Sequence, residues 1–260
     1  MKKTILTTLF CLHLCVSALF AKTYGVVVGV SEYQMSKNNL HFADQDAKDF
    51  YGFLAPNKTE YNLVLLTNEQ ATCANIINAM QTQFAKAKST DKIIFYMSSH
   101  GAEGYLIPYD FNGYANGLAL TKVKELFRQS SAGVKYLFTD ACHAGSIKDK
   151  STPSVGAKEF LSALKKDMNI KANSTSKVIV LVSSRSTQSS IESSAITNGA
   201  FTYTLLNALR GEADLDTNAA ITLKELYTYM RSSVMQLTNN KQIPTMFGNF
   251  NDNDVIIYLK

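Results

Sequence analysis

Short, unbroken apolar runs rich in β-branched residues recur along this chain, with stretches of helical spacing between them. Tyr24–Val30 (YGVVVGV), Tyr61–Leu66 (YNLVLL), Lys92–Ser98 (KIIFYMS), Val134–Asp140 (VKYLFTD), Lys177–Ser183 (KVIVLVS) and Val255–Leu259 (VIIYL) read as strands. Phe42–Leu54, Ala71–Ala85, Thr121–Arg128, Gly199–Arg210 and Leu223–Leu237 read as helices. Phe42, Ala43, Ala47, Phe50 and Phe53 share one side of the first, and Ile76, Ile77, Met80 and Phe84 form the apolar stripe of the second. Strands that lack polar alternation are buried on both faces, which calls for a mostly parallel sheet with helices over each side. In such α/β sheets ligands bind at the carboxyl ends of the strands, so chemistry is sought there.

Two segments break the rhythm. Residues 1–21 begin with Lys2 and Lys3, continue as a mostly apolar run over Ile5–Ala18, and end in small residues at Ser17, Ala18 and Ala21. This reads as a secretory signal peptide cut after Ala21 or Ala18. The run is short for a membrane span, which takes about 20 residues, so no stable insertion is expected after cleavage. The expected location is therefore the periplasm or the outside of the cell. Ser146–Ser176 is long and rich in Lys, Ser and Asn, with a helix expected over Lys158–Lys166. A β-hairpin is expected over Tyr105–Tyr109.

Without the leader, 26 Lys and Arg become 24 against 21 Asp and Glu, and the net charge falls from +5 to +3. That balance, with no basic stripe of interleaved aromatics, speaks against a nucleic-acid partner. The mature chain keeps Cys73 and Cys142. A disulfide between them is one reading for an oxidising compartment. A lone Cys with a separate His is instead the pattern of a thiol nucleophile. A zinc site fails on the spacing of the His and Cys residues.

Two expected strands lead straight into reactive residues. IIFYMSS is followed by His100-Gly101, and VKYLFTDA by Cys142-His143-Ala144-Gly145. If those strands are neighbours, His100 and Cys142 meet at the carboxyl edge of the sheet. A thiolate attacks, and a nearby His activates it or protonates the leaving group. The backbone N–H groups of Gly101 and Cys142 are candidates for an oxyanion hole. His143 and His41 read as local hydrogen-bonding and surface residues.

YMSSHG (96–101) and TDACHAGS (139–146) resemble the His and Cys motifs of the caspase-like cysteine peptidases, above all the metacaspases and their bacterial members. NGAFTYTLLNALRGEAD (198–214) and QIPTMFG (242–248) resemble that family's small-subunit region. The resemblance spans about Tyr24 to Gly248. It implies a three-layer α/β caspase–hemoglobinase-like fold with a central sheet of about six strands. It divides the domain at 22–260 into a large-subunit region (22–146), a linker (147–176) and a small-subunit region (177–260). It also implies a Cys142–His100 dyad acting on peptide bonds. The metacaspase specificity pocket is acidic, and its counterparts are Asp46, Ser98 and Asp140. Buried charges left unpaired cost about 3–5 kcal/mol, so such a pocket favours Arg or Lys and repels Asp. The expected substrates are proteins or peptides cut after Arg or Lys. Outside that role, Asp46 would be a helix N-cap and Asp140 a strand-end acceptor.

No cofactor is required by this reading, and calcium enters at two places. Asp149 falls where some metacaspases keep a calcium-site Asp, without the acidic cluster near Asp110 that would complete it. Separately, Asp214, Asp216, Asn218, Thr222 and Glu225 have EF-hand spacing. Ala219 stands where that loop carries Gly, and Thr222 with Glu225 alternatively forms a helix capping box in a plain loop. Lys148, Lys150, Lys158, Lys165, Lys166 and Lys171 make the 146–176 segment a candidate for self-cleavage. Two other functions stay open on the sequence: another acyl-transfer enzyme using the same dyad, and a catalytically inactive binding module on the same fold.

Overall fold

The computed structural model describes residues 21–113, 115–143, 157–168, 176–183 and 197–259, with the backbone alone described at 142, 143, 157–160 and 167. The signal-peptide reading, apart from Ala21, lies outside these residues.

The expected mixed α/β architecture is present, with each run of β-branched residues in a strand. In chain order the elements are β1 (Thr23–Gly29), α1 (Ala43–Leu54), β2 (Tyr61–Thr67), α2 (Cys73–Phe84), β3 (Lys92–Ala102), β4 (Tyr105–Leu106), β5 (Leu118–Ala119), α3 (Leu120–Gln129), β6 (Val134–His143), α4 (Ala157–Asp167), β7 (Lys177–Val182), α5 (Ala200–Asn207), β8 (Ala220–Thr222), α6 (Leu223–Leu237), β9 (Thr245–Asn249) and β10 (Val255–Tyr258). The main sheet runs β2-β1-β3-β6-β7-β9. Every pairing along it is parallel except β7–β9.

Alternation along the buried strands divides the core in two. Val26, Val28, Ile93, Phe95, Met97, Leu137, Val178 and Val180 face α2, α3 and α4, where Ile76, Met80, Val123, Phe127 and Leu164 meet them. Val27, Ile94, Tyr96, Phe138, Ile179 and Leu181 face α1, α5 and α6, contributing Ala47, Phe50, Phe201, Leu205, Leu226 and Met230. The result is helices on both faces of one sheet. Among the described residues, no helix is long and apolar enough to cross a membrane.

Several expectations shift. β3 and β6 run on past Ser98 and Asp140, so His100 and Cys142 lie within strands rather than just beyond them. The hairpin turns at Gly104 (φ 77°) between β3 and β4, ahead of the expected 105–109 stretch. The helix expected over Gly199–Arg210 ends at Asn207 and continues as a π turn over Ala208–Glu212. β10 leaves the main sheet and pairs antiparallel with β8. The sheet's sixth strand is β9, whose TMFGN sequence carries a glycine and no β-branched run to betray it.

The 146–176 segment is not wholly a surface linker. α4 lies inside it, with Leu164 fully buried and Met168 nearly so. Lys165 lies 5.9 Å above the Phe247 ring on β9.

Candidate active site

β3 and β6 are adjacent and parallel, and their register pairs Ser98 with Asp140 and His100 with Cys142. Positions two apart on a strand share a face, and so do register partners on neighbouring strands. The four residues therefore form a two-by-two block on one face, at the carboxyl end of the sheet. The sequence brought His100 and Cys142 together only if their two strands were neighbours; the fold supplies that adjacency and the match in register.

His100 is buried at 5% exposure and held at two points by the loop between β1 and α1. Its Nε2 lies 2.7 Å from the Asn38 carbonyl oxygen. A carbonyl only accepts, so Nε2 carries the proton of the neutral ring. The His100 backbone N–H donates to Tyr33 Oη at 2.9 Å, and the two rings lie 5.2 Å apart.

That loop is itself tied down. Leu40 N–H donates to the Ser31 carbonyl at 2.8 Å. Asn68 Oδ1 accepts from the N–H groups of Ser31 (2.9 Å) and Glu32 (3.1 Å), and Asn39 Oδ1 accepts from that of Tyr33 (2.9 Å). Neither Tyr33 nor Asn38 was legible in the sequence, because Asn38 acts through its backbone and Tyr33 sits in a loop without periodicity.

The acidic residues also converge. Gly29 closes β1 where a Cβ would come within 2.3 Å of the Ala43 carbonyl oxygen, so only glycine lets the first turn of α1 approach so near. That approach brings Asp46 in beneath the site. Asp46 is 2% exposed and is not the helix N-cap, which is Phe42. Its Oδ2 accepts from Ser98 Oγ at 2.9 Å, and its Oδ1 accepts from the backbone N–H of Gly199 at 2.8 Å. Asp140 is 1% exposed. Burial first, and then the negative charge of Asp140, push Asp46 up to about 7. No Lys or Arg among the described residues pairs with Asp46. Next to it, Asn198 Nδ2 donates to Asp49 Oδ2 at 2.8 Å, so the entry to α5 is tied to α1 twice.

Gly101 sits in register with Leu106 on one side and His143 on the other. Cys73 is a free thiol in the first turn of α2, where its N–H donates to Asp110 Oδ1 at 2.8 Å.

The candidate calcium residues fall into two groups. Asp149 lies outside the described residues. Asp214, Asp216 and Glu225 bring one carboxylate oxygen each within 4.8 Å of one another. Asn218 joins them through its N–H, which donates to Asp214 and Asp216. Ala219 takes φ 63°, the left-handed turn that glycine usually supplies there. The capping box also forms: Glu225 N–H donates to Thr222 Oγ1, and Thr222 N–H to Glu225 Oε2. Glu225 thus belongs both to the helix cap and to the cluster of three carboxylates.

A sequence model of the caspase domain matches residues 22–255. No curated protein sequence matches the chain. Among solved structures, the fold is similar to a Geobacter sulfurreducens protein at 17% identity and a TM-score of 0.60, over 92% of this chain and 100% of that one. It is likewise similar to pro-Sf-caspase-1 at 13% identity and a TM-score of 0.63, over 92% and 91% of the two chains. At such identities the likeness to both is one of fold.

Proposed function

Because the chain belongs to the caspase domain family, a family of cysteine peptidases, we propose that it is an endopeptidase cutting after Arg or Lys with Cys142 as nucleophile and His100 as acid and base. The observation that carries this reading is the register match of His100 with Cys142 above the buried acids.

The chemistry follows from the tautomer. With Nε2–H committed to the Asn38 carbonyl, Nδ1 takes the thiol proton. The thiolate sulfur bonds to the scissile carbonyl carbon, and the Gly101 and Cys142 N–H groups stabilise the oxyanion. The C–N bond then breaks as Nδ1 returns its proton to the leaving amine. Water, deprotonated by the same nitrogen, attacks the thioester and releases the acid. Asp46, Ser98 and Asp140 receive the basic side chain that precedes the scissile bond. A guanidinium or ammonium there offsets the repulsion that raises Asp46.

The same reading has the protein exported by its leader and able to cut itself beside α4. It also assigns calcium to the 214–225 loop, where the ion would join Asp214, Asp216 and Glu225 and stabilise the entry to α6.

The experiment is a labelling assay. An electrophilic peptide ending in Arg should modify Cys142 in the wild type and leave Cys142→Ala and His100→Ala unmarked. Equal or faster turnover of a fluorogenic Asp peptide than of its Arg counterpart would end the specificity assignment.

A further inference from the structure

Two hydroxyl groups beneath the acids have no part in the mechanism above. Tyr96 is fully buried on β3, its ring stacked 4.4 Å from Phe50 at 16°, with Phe50 edge-on to Phe138. The ring therefore has one place to sit, and its Oη lies 2.6 Å from Thr202 Oγ1. Thr202, also fully buried, is in the first turn of α5, and its Oγ1 reaches Asp140 Oδ2 at 3.4 Å.

Geometry alone leaves the direction of the Tyr96–Thr202 bond open. Proton counting decides it. A carboxylate only accepts and each hydroxyl holds one proton, so Thr202 donates to Asp140 and Tyr96 donates to Thr202. Burial and the charges of Asp46 and Asp140 hold the Tyr96 phenol well above its ordinary range, so it keeps the proton this chain requires. Ser98 serves Asp46 in the same way from the other side. Each pocket acid thus has its own hydroxyl donor, and the donor to Asp140 is fixed by a second hydroxyl behind it.

We propose that Thr202, held by Tyr96, is a positioning residue for Asp140 and sets how tightly the pocket grips a basic side chain. The inference rests on the reading of Asp46, Ser98 and Asp140 as the specificity pocket. A planar guanidinium needs a carboxylate held at a fixed angle, whereas an ammonium acts as a point charge. Loss of the relay should therefore weaken recognition of Arg more than of Lys.

The test uses the full chain and peptides with one shared electrophile, ending in Arg, Lys or the neutral Arg analogue citrulline. The concentration dependence of Cys142 labelling separates affinity from the chemical step. Thr202→Val should weaken affinity for the Arg peptide about tenfold, the scale of one lost hydrogen bond, with a smaller loss for Lys. The maximal labelling rate and the rate with iodoacetamide should stay within about twofold. Thr202→Ser should recover the affinity, and Tyr96→Phe should fall between. Unchanged affinity in Thr202→Val overturns the relay, as does a Thr202→Ser protein no better than the Val variant, which would assign the effect to packing. Should Thr202→Val not fold, unchanged affinity in Tyr96→Phe overturns it equally. A wild type that labels equally with Arg and citrulline peptides sinks the pocket reading itself, and the relay with it.

Discussion

His100 Nε2 and the Asn38 carbonyl oxygen lie 2.7 Å apart, so a loop backbone carbonyl fixes which nitrogen of the neutral imidazole carries the proton. The Asn38 side chain is a separate matter: it is buried, and neither its Oδ1 nor its Nδ2 has a hydrogen-bond partner. An unsatisfied buried amide costs about 1–3 kcal/mol. Asn38→Leu should therefore raise the melting temperature while kcat/KM stays within about threefold. A hundredfold loss of activity would show that the amide itself takes part.

Tyr33→Phe should behave in the opposite way. It removes the acceptor of the buried His100 N–H. The expected cost is about 1–3 kcal/mol of stability, with a fall in kcat larger than any change in KM. Denaturant melts and steady-state kinetics on the Arg substrate check both parts.

Asp46 predicts two opposite pH trends. Its carboxyl is raised from 3.8 to about 7 in the folded chain, so between those values the native state binds more protons than the unfolded one. Stability without substrate should then fall as pH rises through that window, by up to about 4 kcal/mol, and level off above it. Binding of an Arg peptide should strengthen over the same range as the acid ionises. Urea melts at pH 5.5 and 8 on wild type and Asp46→Asn test this: the variant should lack this component of the slope. An equal slope in both proteins would remove Asp46 as its source.

For the 214–225 loop, calorimetry with calcium should give one binding event per chain that is lost in Glu225→Gln and weakened in Asp214→Asn. A flat titration of the wild type would leave Glu225 as a helix cap alone. The cap has its own signature: Thr222→Ala should lose about 0.5–2 kcal/mol without any calcium present.

Self-cleavage should spare α4. Leu164 and Met168 anchor that helix in the core, and a scissile segment must leave helical form to enter an active site. Mass spectrometry of aged active enzyme should place cuts at lysines outside the helix, such as Lys148, Lys150 or Lys171. Cuts at Lys165 or Lys166 in folded protein would contradict this. The Cys142→Ala chain should remain whole.

The sequence was most informative where the code is local. The buried strands β1, β3, β6 and β7 stood out as unbroken apolar runs, and the endings of β3 and β6 pointed to His100 and Cys142. Helical periodicity located α1, α2, α3 and α6 to within two residues. What stayed hidden depends on contacts distant in the chain. β9 has no β-branched pattern and exists because β7 offers it an edge. Thr202 reads as one more polar residue in a helix until α5 packs against α1. Asn38 acts through a carbonyl that every residue possesses.

The cluster of Asp46, Ser98, Asp140 and Thr202 is assembled from α1, β3, β6 and the first turn of α5, so its parts are made at different times during synthesis. In the proposed enzyme, a nascent chain has its nucleophile Cys142 in hand well before Gly199 and Thr202 arrive to brace the acids. On that proposal reactivity is encoded upstream of selectivity, and any product ending between the two would carry a nucleophile without a finished means of choosing what it attacks.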